Sequence, residues 1–313
     1  MNSTLHTANK YFTKRLVRLT SLALPEARGL ALERWRLGRE EFWKYRYCDH
    51  VFASYAKSGR TWVRAMLSRY FQLTYSGIPE NMLFGFDNYH RINPAVPKIF
   101  FTHDNYLRAY TGNLDSKRDF YDKSTALLVR RPQDVAVSQF FQWKHRMRPH
   151  KKALNNYPEH GAELSMYDFL MHPHQGLPNI IEFMNLWARE LPRIRESLLL
   201  RYEDLRSNPQ PELGRLVSFL GMTPDPTAIA AAVDFASVEN LRKKEETNYF
   251  LRSGSRLKAA DPDNPDSYKV RRAKVGGYRD YFDDTQLAAI DALVAERLDP
   301  ALGYSAGNVT RSA

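Results

Sequence analysis

Cysteine is almost absent from this chain of 313 residues, which contains only Cys48. A single cysteine excludes an intrachain disulfide framework and favours a reducing compartment such as the cytosol. Long apolar runs are missing as well, since no stretch is long enough to span a bilayer. Lys14, Arg15 and Arg18 interrupt the N-terminal region, where a signal peptide would need an apolar core. We therefore expect a cytoplasmic protein.

Linkers are also lacking, because no Pro/Gly/Ser-rich tract, repeat or low-complexity segment divides the chain. We predict one domain over residues 1–313, with a helical extension in residues 1–45 and the core in residues 51–305. Strand-like apolar segments alternate with helix-like ones. This order favours an α/β fold of three layers, in which helices cover both faces of a mainly parallel sheet.

The most informative segment is the loop of residues 55–62, which reads Y-A-K-S-G-R-T-W. It follows a short apolar segment and precedes a stretch with apolar positions at helical spacing. Such a loop with Lys57, Ser58 and Gly59 is typical of a phosphate site, because N–H groups at a helix start and a lysine both attract anions. It lacks the G-x-x-x-x-G-K-[ST] pattern, so it does not fit ATP with magnesium. The alternative is that Lys57 is a plain solvated charge.

A second strand-like segment, residues 124–129, runs into Arg130. Pro132 suits the first turn of a following helix, and Ser138 on that helix would add a hydroxyl beside Arg130. Kinases carry an acidic, metal-holding residue at the end of such a strand, so an arginine predicts a second anion that is bound without metal. The alternative is that Arg130 and Arg131 form surface ion pairs.

Two further segments follow in the second half of the chain. Residues 198–200 form a strand-like run that leads into Tyr202, Glu203 and Asp204. Residues 269–278 form a basic loop that contains glycine and precedes the last predicted helix. A basic loop of this kind is either exposed to solvent or covers a further anion-binding site.

In order and spacing, the four segments resemble the sulfotransferases that use 3′-phosphoadenosine 5′-phosphosulfate. The cytosolic type of that family carries Y-P-K-S-G-T-T-W, R-x-x-x-D-x-x-x-S, Y-E-D-L and R-K-G-x-x-G-D-W, and the match spans roughly residues 51–281. The resemblance implies a P-loop-like fold and this nucleotide as the sulfuryl donor. It also implies that Trp62 and Tyr202 lie by the adenine. The implied phosphate contacts are Lys57, Ser58, Gly59, Thr61 and Trp62 for the 5′-phosphosulfate, and Arg130, Ser138, Arg271 and Arg272 for the 3′-phosphate.

Four positions depart from the family pattern. Ala56 replaces the loop proline, and Val238 stands where the family has the phenylalanine that stacks on the adenine. Arg60 replaces a small hydroxyl residue, which leaves two alternatives: contact with phosphate or sulfate, or an outward orientation. Ala273 replaces a glycine whose backbone meets the 3′-phosphate. We keep Arg60 and Ala273 among the predicted donor-binding residues.

Sulfuryl transfer needs a base that takes the proton of the acceptor and a cation at the leaving oxygen of the donor. Lys57 is the predicted cation. His103 follows the apolar segment 98–102, and it alone of the nine histidines stands at a predicted strand end between the two phosphate motifs. The family places its base histidine after such a strand. We predict that His103 is the base, against the alternative of a structural histidine.

The net charge of +11 suits an enzyme that binds a polyanionic donor. Part of the excess lies in residues 144–152, which read K-H-R-M-R-P-H-K-K. A nucleic-acid-binding protein is the rival interpretation of this charge, but no nucleic-acid fold motif or aromatic–basic alternation is present. We predict a solvated basic face at residues 144–152 and no nucleic-acid partner.

The sequence does not identify the acceptor: a phenol or steroid, a sugar hydroxyl and a lipid headgroup all stay open, and the accepting group is a hydroxyl or an amine. In the resembling family, the loops at residues 81–93 and 140–178 cap the acceptor pocket. Six aromatic residues of these loops either line that pocket or belong to the core: Phe84, Phe86, Tyr89, Phe140, Phe141 and Trp143.

Two other function classes stay open. A P-loop kinase or other nucleotide-binding enzyme is opposed by the missing G-K-[ST] and by Arg130. A non-catalytic binding protein with the same fold is opposed by Lys57 and by His103 as a base. We expect activity without a metal ion.

Residues 10–24 predict a basic amphipathic helix that Pro25 ends. This helix either packs on the protein itself or on a second subunit of a homodimer, or it lies on a membrane surface with anionic lipids. In the membrane case the acceptor would be a glycolipid or another membrane-borne hydroxyl compound. The apolar stripe consists of Phe12, Leu16, Leu19 and Ala23.

Overall fold

The computed structural model describes residues 23–250 and 257–304, together with Val17 and Thr20. Most of the predicted amphipathic helix of residues 10–24 lies outside the described residues, so its role as a membrane or subunit contact stays a prediction. The division into an extension of residues 1–45 and a core of residues 51–305 also stays a prediction.

A parallel sheet of four strands forms the centre of the described chain. The strands lie in the spatial order β2-β1-β3-β4, so the first strand along the chain lies inside the sheet. The prediction of a mainly parallel α/β sheet is confirmed. The strands are β1 (His50–Ser54), β2 (Ile99–Thr102), β3 (Ser124–Val129) and β4 (Ser197–Arg201).

Helices fill the connections between and after the strands. The α-helices are α1 (Glu26–Tyr47), α2 (Arg60–Thr74), α3 (Leu107–Thr111), α4 (Pro132–His145), α5 (Pro149–Leu154), α6 (Met166–Met171), α7 (Leu177–Glu190), α8 (Tyr202–Ser207), α9 (Pro209–Phe219), α10 (Pro226–Phe235), α11 (Val238–Glu246) and α12 (Asp284–Arg297). Short 3₁₀ helices span Arg118–Phe120, Leu191–Arg193, Pro265–Ser267, Gly277–Tyr281 and Pro300–Leu302.

The sheet is buried on both faces because successive strand residues point to opposite sides. On β1, Val51 and Ala53 join one apolar cluster, whereas Phe52 joins the other. On β3, Leu127 and Leu128 divide in the same way. Helices α4 and α7 contribute to the first cluster, and α2, α9 and α10 contribute to the second. The predicted three layers are therefore present.

The parallel strands bring four chain segments to one edge of the sheet. The loop of residues 55–59 follows β1, and His103 follows β2. Arg130 follows β3, and Tyr202 follows β4. Pro132 is the first residue of α4, as its fixed φ predicts.

One carboxyl group lies between α1 and the segment that follows β2. Glu41 of α1 accepts a hydrogen bond from the Leu107 backbone N–H at 2.9 Å, at the start of α3. Burial, and then the neighbouring Asp104 carboxylate, raise the pKa of Glu41 from its ordinary 4.5 to about 7. Keeping Glu41 ionised above that pH therefore destabilises the folded state.

We expect Glu41→Gln to change the pH dependence of stability. Because the folded pKa is raised, the free energy of unfolding of the wild type falls as pH rises from about 4.5 to about 7. The variant cannot ionise, so it should gain up to about 3 kcal/mol relative to the wild type between about pH 5 and about pH 8. Urea unfolding at both pH values measures this. Glu80→Gln, at a side chain that is 73% exposed, is the control; the same stability difference at both pH values would contradict the assignment.

Candidate active site

A cavity of about 830 Å³ opens at the edge of the sheet where the strands end. Among the described residues, thirteen lysine and arginine side chains line it, but only one carboxylate, that of Asp134. Such an excess of one charge attracts polyanions. The cations are Lys57, Arg60, Arg64, Arg130, Arg146, Arg148, Lys151, Arg206, Lys258, Lys269, Arg271, Arg272 and Lys274.

The loop after β1 has the backbone shape of a phosphate-binding turn. Lys57 (φ 72°) and Gly59 (φ 100°) both adopt left-handed conformations, and α2 begins at Arg60. A Cβ atom on Gly59 would lie 2.6 Å from Tyr202 Cδ2, so only glycine fits against that ring. Ser58 is buried beneath the turn. The loop therefore presents a helix start and Lys57 to the cavity.

Lys57 is poised between its charged and neutral forms. Its Nζ lies 3.4 Å from Gln142 Oε1. Burial lowers the pKa of Lys57 from 10.5 to about 7, and the charges of Arg146 and Arg130 add to this effect. A bound anion would oppose these repulsions and restore the lysine charge.

Arg130 lies next to the loop. It donates a hydrogen bond from Nη1 to the Lys57 carbonyl at 3.2 Å, and its guanidinium lies 4.3 Å from the centre of the Tyr202 ring. Within the described chain, its buried Nε has no hydrogen-bond partner. Ser138 of α4 lines the same cavity. The surface ion pair that we considered for Arg130 is absent from the described contacts.

Asp134 of α4 anchors the basic loop near the end of the chain. Its carboxylate accepts hydrogen bonds from the backbone N–H groups of Gly276 (2.7 Å) and Tyr278 (3.0 Å). The sequence prediction assigned it no role, although it is the aspartate in the R-x-x-x-D pattern. The residues that donate to Asp134 lie some 140 positions further along the chain, so the sequence around Asp134 gives no indication of this contact.

The basic loop itself brings two arginines to the cavity. The Arg271 guanidinium lies 3.7 Å from the centre of the Phe141 ring, and its Nη1 donates to Tyr281 Oη at 2.5 Å. Arg272 is more exposed and pairs with Asp280 at 2.5 Å. Ala273 adopts φ 51°, so alanine here carries the left-handed backbone that suits glycine.

Two aromatic rings border the part of the cavity next to the loop. Trp62 and Tyr202 meet edge to face, with ring centres 5.6 Å apart. Trp62 Nε1 donates to the Ala236 carbonyl at 2.8 Å, which fixes the indole. Val238 lines the same cavity, and its correspondence to the stacking position stays a prediction.

His103 lies directly after β2, with both ring nitrogens engaged. Its Nδ1 lies 2.9 Å from the Ser54 carbonyl, which can only accept, so Nδ1 carries the proton. Its Nε2 therefore accepts a hydrogen bond from Arg60 Nη2 at 2.6 Å. Burial holds the pKa of His103 well below its usual value, and the charges of Arg60, Lys151 and Lys269 lower it further, against the Ser54 hydrogen bond. Arg60 thus points into the cavity and not outward, and its contact with phosphate or sulfate stays a prediction.

A buried ion pair lies deeper in the cavity wall. Arg146 Nη1 lies 3.5 Å from Glu245 Oε1, and the Glu245 carboxylate also accepts from the backbone N–H groups of Lys269 (2.7 Å) and Val270 (2.9 Å). Burial, and then the charge of Lys57, hold the pKa of Lys269 well below its usual value. No pattern in the sequence indicates this arrangement.

The prediction of a solvated basic face at residues 144–152 is wrong for two of its members. The Arg146 side chain is only 7% exposed because it pairs with Glu245. Lys152 is buried, with Nζ 4.8 Å from the centre of the Trp143 ring. The remaining exposed cations of the segment include Lys144, Arg148 and Lys151.

The aromatic residues considered for the acceptor pocket belong to the core. Five of them are buried and none lines the cavity, while Phe86 packs on Trp43 at 5.9 Å between ring centres. The core alternative is therefore correct for the buried set: Phe84, Tyr89, Phe140, Phe141 and Trp143.

Comparison with protein-family models matches residues 120–300 to the sulfotransferase domain. The match covers more than half of the chain and includes Arg130, Asp134 and the basic loop. The chain belongs to the sulfotransferase family of enzymes.

Curated relatives agree with this assignment at low identity. Sulfotransferase 1B1 of Mus musculus is 32% identical over 101 residues, which cover 32% of this chain and 32% of the mouse protein. Cytosolic sulfotransferase 17 of Arabidopsis thaliana is 24% identical over 286 residues, covering 83% of this chain and 77% of the plant protein. The matched segments thus range from about a third to about three quarters of the length of these two relatives.

Among solved structures, the fold is similar to that of mouse sulfotransferase SULT7A1 complexed with PAP. The TM-score is 0.54 at 20% sequence identity, and the alignment covers 82% of this chain and 89% of the mouse chain. At this identity the likeness establishes the fold, which is the α/β fold that the sequence predicted.

Two searches of the described residues gave no candidate. No described helix is long and apolar enough to cross a membrane. Within the same ranges, no three His, Cys, Asp or Glu side chains lie where they could jointly hold a metal ion. Activity without a metal stays a prediction.

We expect Arg60→Ser to raise the pKa of His103, because it removes the charge that contacts Nε2. The imidazole should then titrate at a higher pH than in the wild type. An NMR titration of the histidine side chains measures this, with His103→Gln to assign the signal. Arg69→Ser is the control, since Arg69 lies on the same helix but pairs with Glu80. An unchanged titration in Arg60→Ser would mean that Arg60 does not contribute to the lowered pKa of His103.

Proposed function

We propose that this chain moves a sulfuryl group from 3′-phosphoadenosine 5′-phosphosulfate to a hydroxyl group of an acceptor, with His103 as the base. The carrying observation is the grouping of Lys57, Arg130 and His103 around one cavity, which thirteen cations and one carboxylate of the described residues line. Family membership supports the reaction class.

The geometry supports a specific pose of the donor. The 5′-phosphosulfate would meet the loop of residues 57–61, where Lys57 and the start of α2 supply positive charge. The 3′-phosphate would meet Arg130, whose buried Nε has no partner in the described chain, and Arg271 of the anchored loop. The adenine would lie between Trp62 and Val238. The other proposed donor contacts are Ser58, Gly59, Arg60, Thr61, Ser138, Tyr202, Arg272 and Ala273.

In the transfer, the bond between sulfur and the bridging phosphate oxygen breaks, and a bond from sulfur to the acceptor oxygen forms. The acceptor proton passes to His103 Nε2, which holds the lone pair because Nδ1 donates to Ser54. The negative charge that develops on the bridging oxygen is stabilised by Lys57. The products are the sulfated acceptor and adenosine 3′,5′-bisphosphate.

Arg60 has to release His103 before this step. In the structure Arg60 donates a hydrogen bond to His103 Nε2, the atom that would take the proton. The acceptor hydroxyl would replace it there, and the guanidinium would then lie close to the sulfuryl oxygens, since Arg60 follows Gly59 directly. Arg60 is thus the proposed second cation at the reacting group, beside Lys57.

The compartment and the other function classes are part of this proposal. A cytosolic location is supported by the single buried Cys48 and by the name of the plant relative. A kinase is disfavoured because Arg130, and not an acid that would hold magnesium, directly follows β3. No observation favours nucleic acid as a partner.

Calorimetry tests the donor assignment. We expect the protein to bind adenosine 3′,5′-bisphosphate more tightly than ATP with magnesium. Arg130→Ala should weaken binding of the bisphosphate by about tenfold or more, because charge-assisted hydrogen bonds to phosphate are lost, and should affect AMP far less. An equal loss for both nucleotides would place the 3′-phosphate elsewhere, and equal or tighter binding of ATP would refute the donor assignment.

Mutation of His103 tests the base. His103→Ala should abolish transfer from the labelled donor to a panel of phenolic, neutral glycosidic and acidic sugar acceptors, yet leave binding of adenosine 3′,5′-bisphosphate nearly intact, since the base acts on the acceptor. His90→Ala is the control, because His90 bonds to the Val96 carbonyl and does not line the cavity. Undiminished transfer by His103→Ala would exclude His103 as the base.

A further inference from the structure

The proposed base stands just beyond the edge of the sheet. Thr102 is the last residue of β2 that pairs with β1, opposite Ala53, so the backbone of His103 lies outside the ladder. Two hydrogen bonds align its ring, one to the Ser54 carbonyl and one from Arg60. Both bonds need the ring at one place, and that place depends on what fixes the backbone after β2.

The residue after the base turns the chain sharply. Asp104 adopts a left-handed backbone conformation with φ 55°, which glycine, asparagine and aspartate tolerate better than other residues do. Its N–H donates to Thr102 Oγ1 at 2.7 Å, and Asn105 beyond it lines the cavity. A change of backbone conformation at Asp104 would therefore move the segment that carries His103.

A buried ion pair holds this turn. Asp104 Oδ2 lies 2.5 Å from Lys117 Nζ, and the two side chains are only 4% and 5% exposed. Lys117 is itself fixed to α7, because its backbone N–H donates to Glu190 Oε2 at 3.1 Å and its Nζ lies 5.3 Å from the centre of the Trp187 ring. The pair thus ties the turn after the base to a helix of the first apolar cluster.

The stability of the fold does not account for this pair. Taking two charges out of water costs about as much as their attraction returns, and a well-packed apolar pair is often at least as stable. Burial raises the pKa of Asp104 above its ordinary 3.8, although the Lys117 ammonium opposes this shift. The ionised carboxylate is therefore held at this position at a net cost in free energy.

We propose that Asp104 and Lys117 are positioning residues for the base. Their ion pair fixes the turn after His103, so that Nδ1 stays on the Ser54 carbonyl and the lone pair of Nε2 faces the cavity. In the described chain neither side chain lines the cavity, so the pair acts through His103 and not on a substrate. This inference rests on the proposed function, because it concerns the orientation of the proposed base.

The test removes both charges of the full chain at once, in the double variant Asp104→Gly with Lys117→Met. Glycine accepts the left-handed backbone, methionine keeps an apolar stem over Trp187, and no unpaired charge stays buried. Urea unfolding should therefore show a stability close to that of the wild type.

The orientation of the base should nevertheless be lost in this double variant. NMR of the histidine nitrogens should show that His103 no longer keeps the proton on Nδ1 alone, and that it titrates at a higher pH than in the wild type, because the ring leaves its buried place beside Arg60. Transfer to the same acceptor panel should slow about tenfold or more, with the affinity for adenosine 3′,5′-bisphosphate unchanged.

Two further variants separate the ion pair from a general loss of stability. Lys117→Met alone should release the ring in the same way, since the Asp104 carboxyl takes up a proton when its partner is gone. Val294→Ala is the control, because Val294 of α12 is buried but does not line the cavity. This variant should unfold at a lower urea concentration and still keep the proton of His103 on Nδ1.

The NMR result decides the inference without any turnover. The inference is wrong if the double variant or Lys117→Met keeps the His103 proton on Nδ1 alone, or if Val294→Ala releases the ring as they do. A released ring with undiminished transfer would instead refute His103 as the base, and the proposed function would then fail while the effect of the pair on the ring stands.

Discussion

Positive charge held out of water at one edge of a parallel sheet is the constraint on which the site depends. Burial, and then repulsion from neighbouring cations, lower the pKa values of Lys57 and Lys269. Glu245, buried beneath them, offsets part of this repulsion through Arg146 and two backbone amides. Either deprotonation of Lys57 or a bound polyanion would remove more of it, so holding these cations together lowers the stability of the folded protein.

The parts of this arrangement that depend on local pattern could be predicted from the sequence. Short apolar runs indicated the four strands, because a strand that is buried on both faces is apolar along its whole length. Pro132 marked the start of α4. The positions of Lys57, Arg130 and His103 followed, since the carboxyl ends of parallel strands meet at one edge. The direction of a long side chain is set by distant neighbours instead, and this is why the contact between Arg60 and His103 escaped prediction.

The burial of individual residues was the second property that could not be predicted from the sequence. The sequence of a basic run is the same whether its side chains face water, a ligand or the core, and this is also true of a set of aromatic residues. Arg146 is buried because Glu245 lies opposite it, and Phe140 is buried because α4 packs on the sheet. Asn155 and Tyr157 lie in a segment with weak periodicity, and only the structure shows that both line the cavity.

The downward pKa shifts of Lys57 and His103 belong together on the proposed mechanism. Transfer needs Lys57 charged and His103 neutral at the same time. The pKa of Lys57 is about 7. A histidine of ordinary pKa would therefore begin to take up a proton in the same pH range in which the lysine becomes fully charged. Because burial, and then Arg60, hold the pKa of His103 well lower, a window opens below about pH 7 in which Lys57 is charged and His103 is neutral. Donor binding raises the pKa of Lys57 and extends that window upward, so the arginine that covers the base before the acceptor arrives also keeps it unprotonated for the reaction.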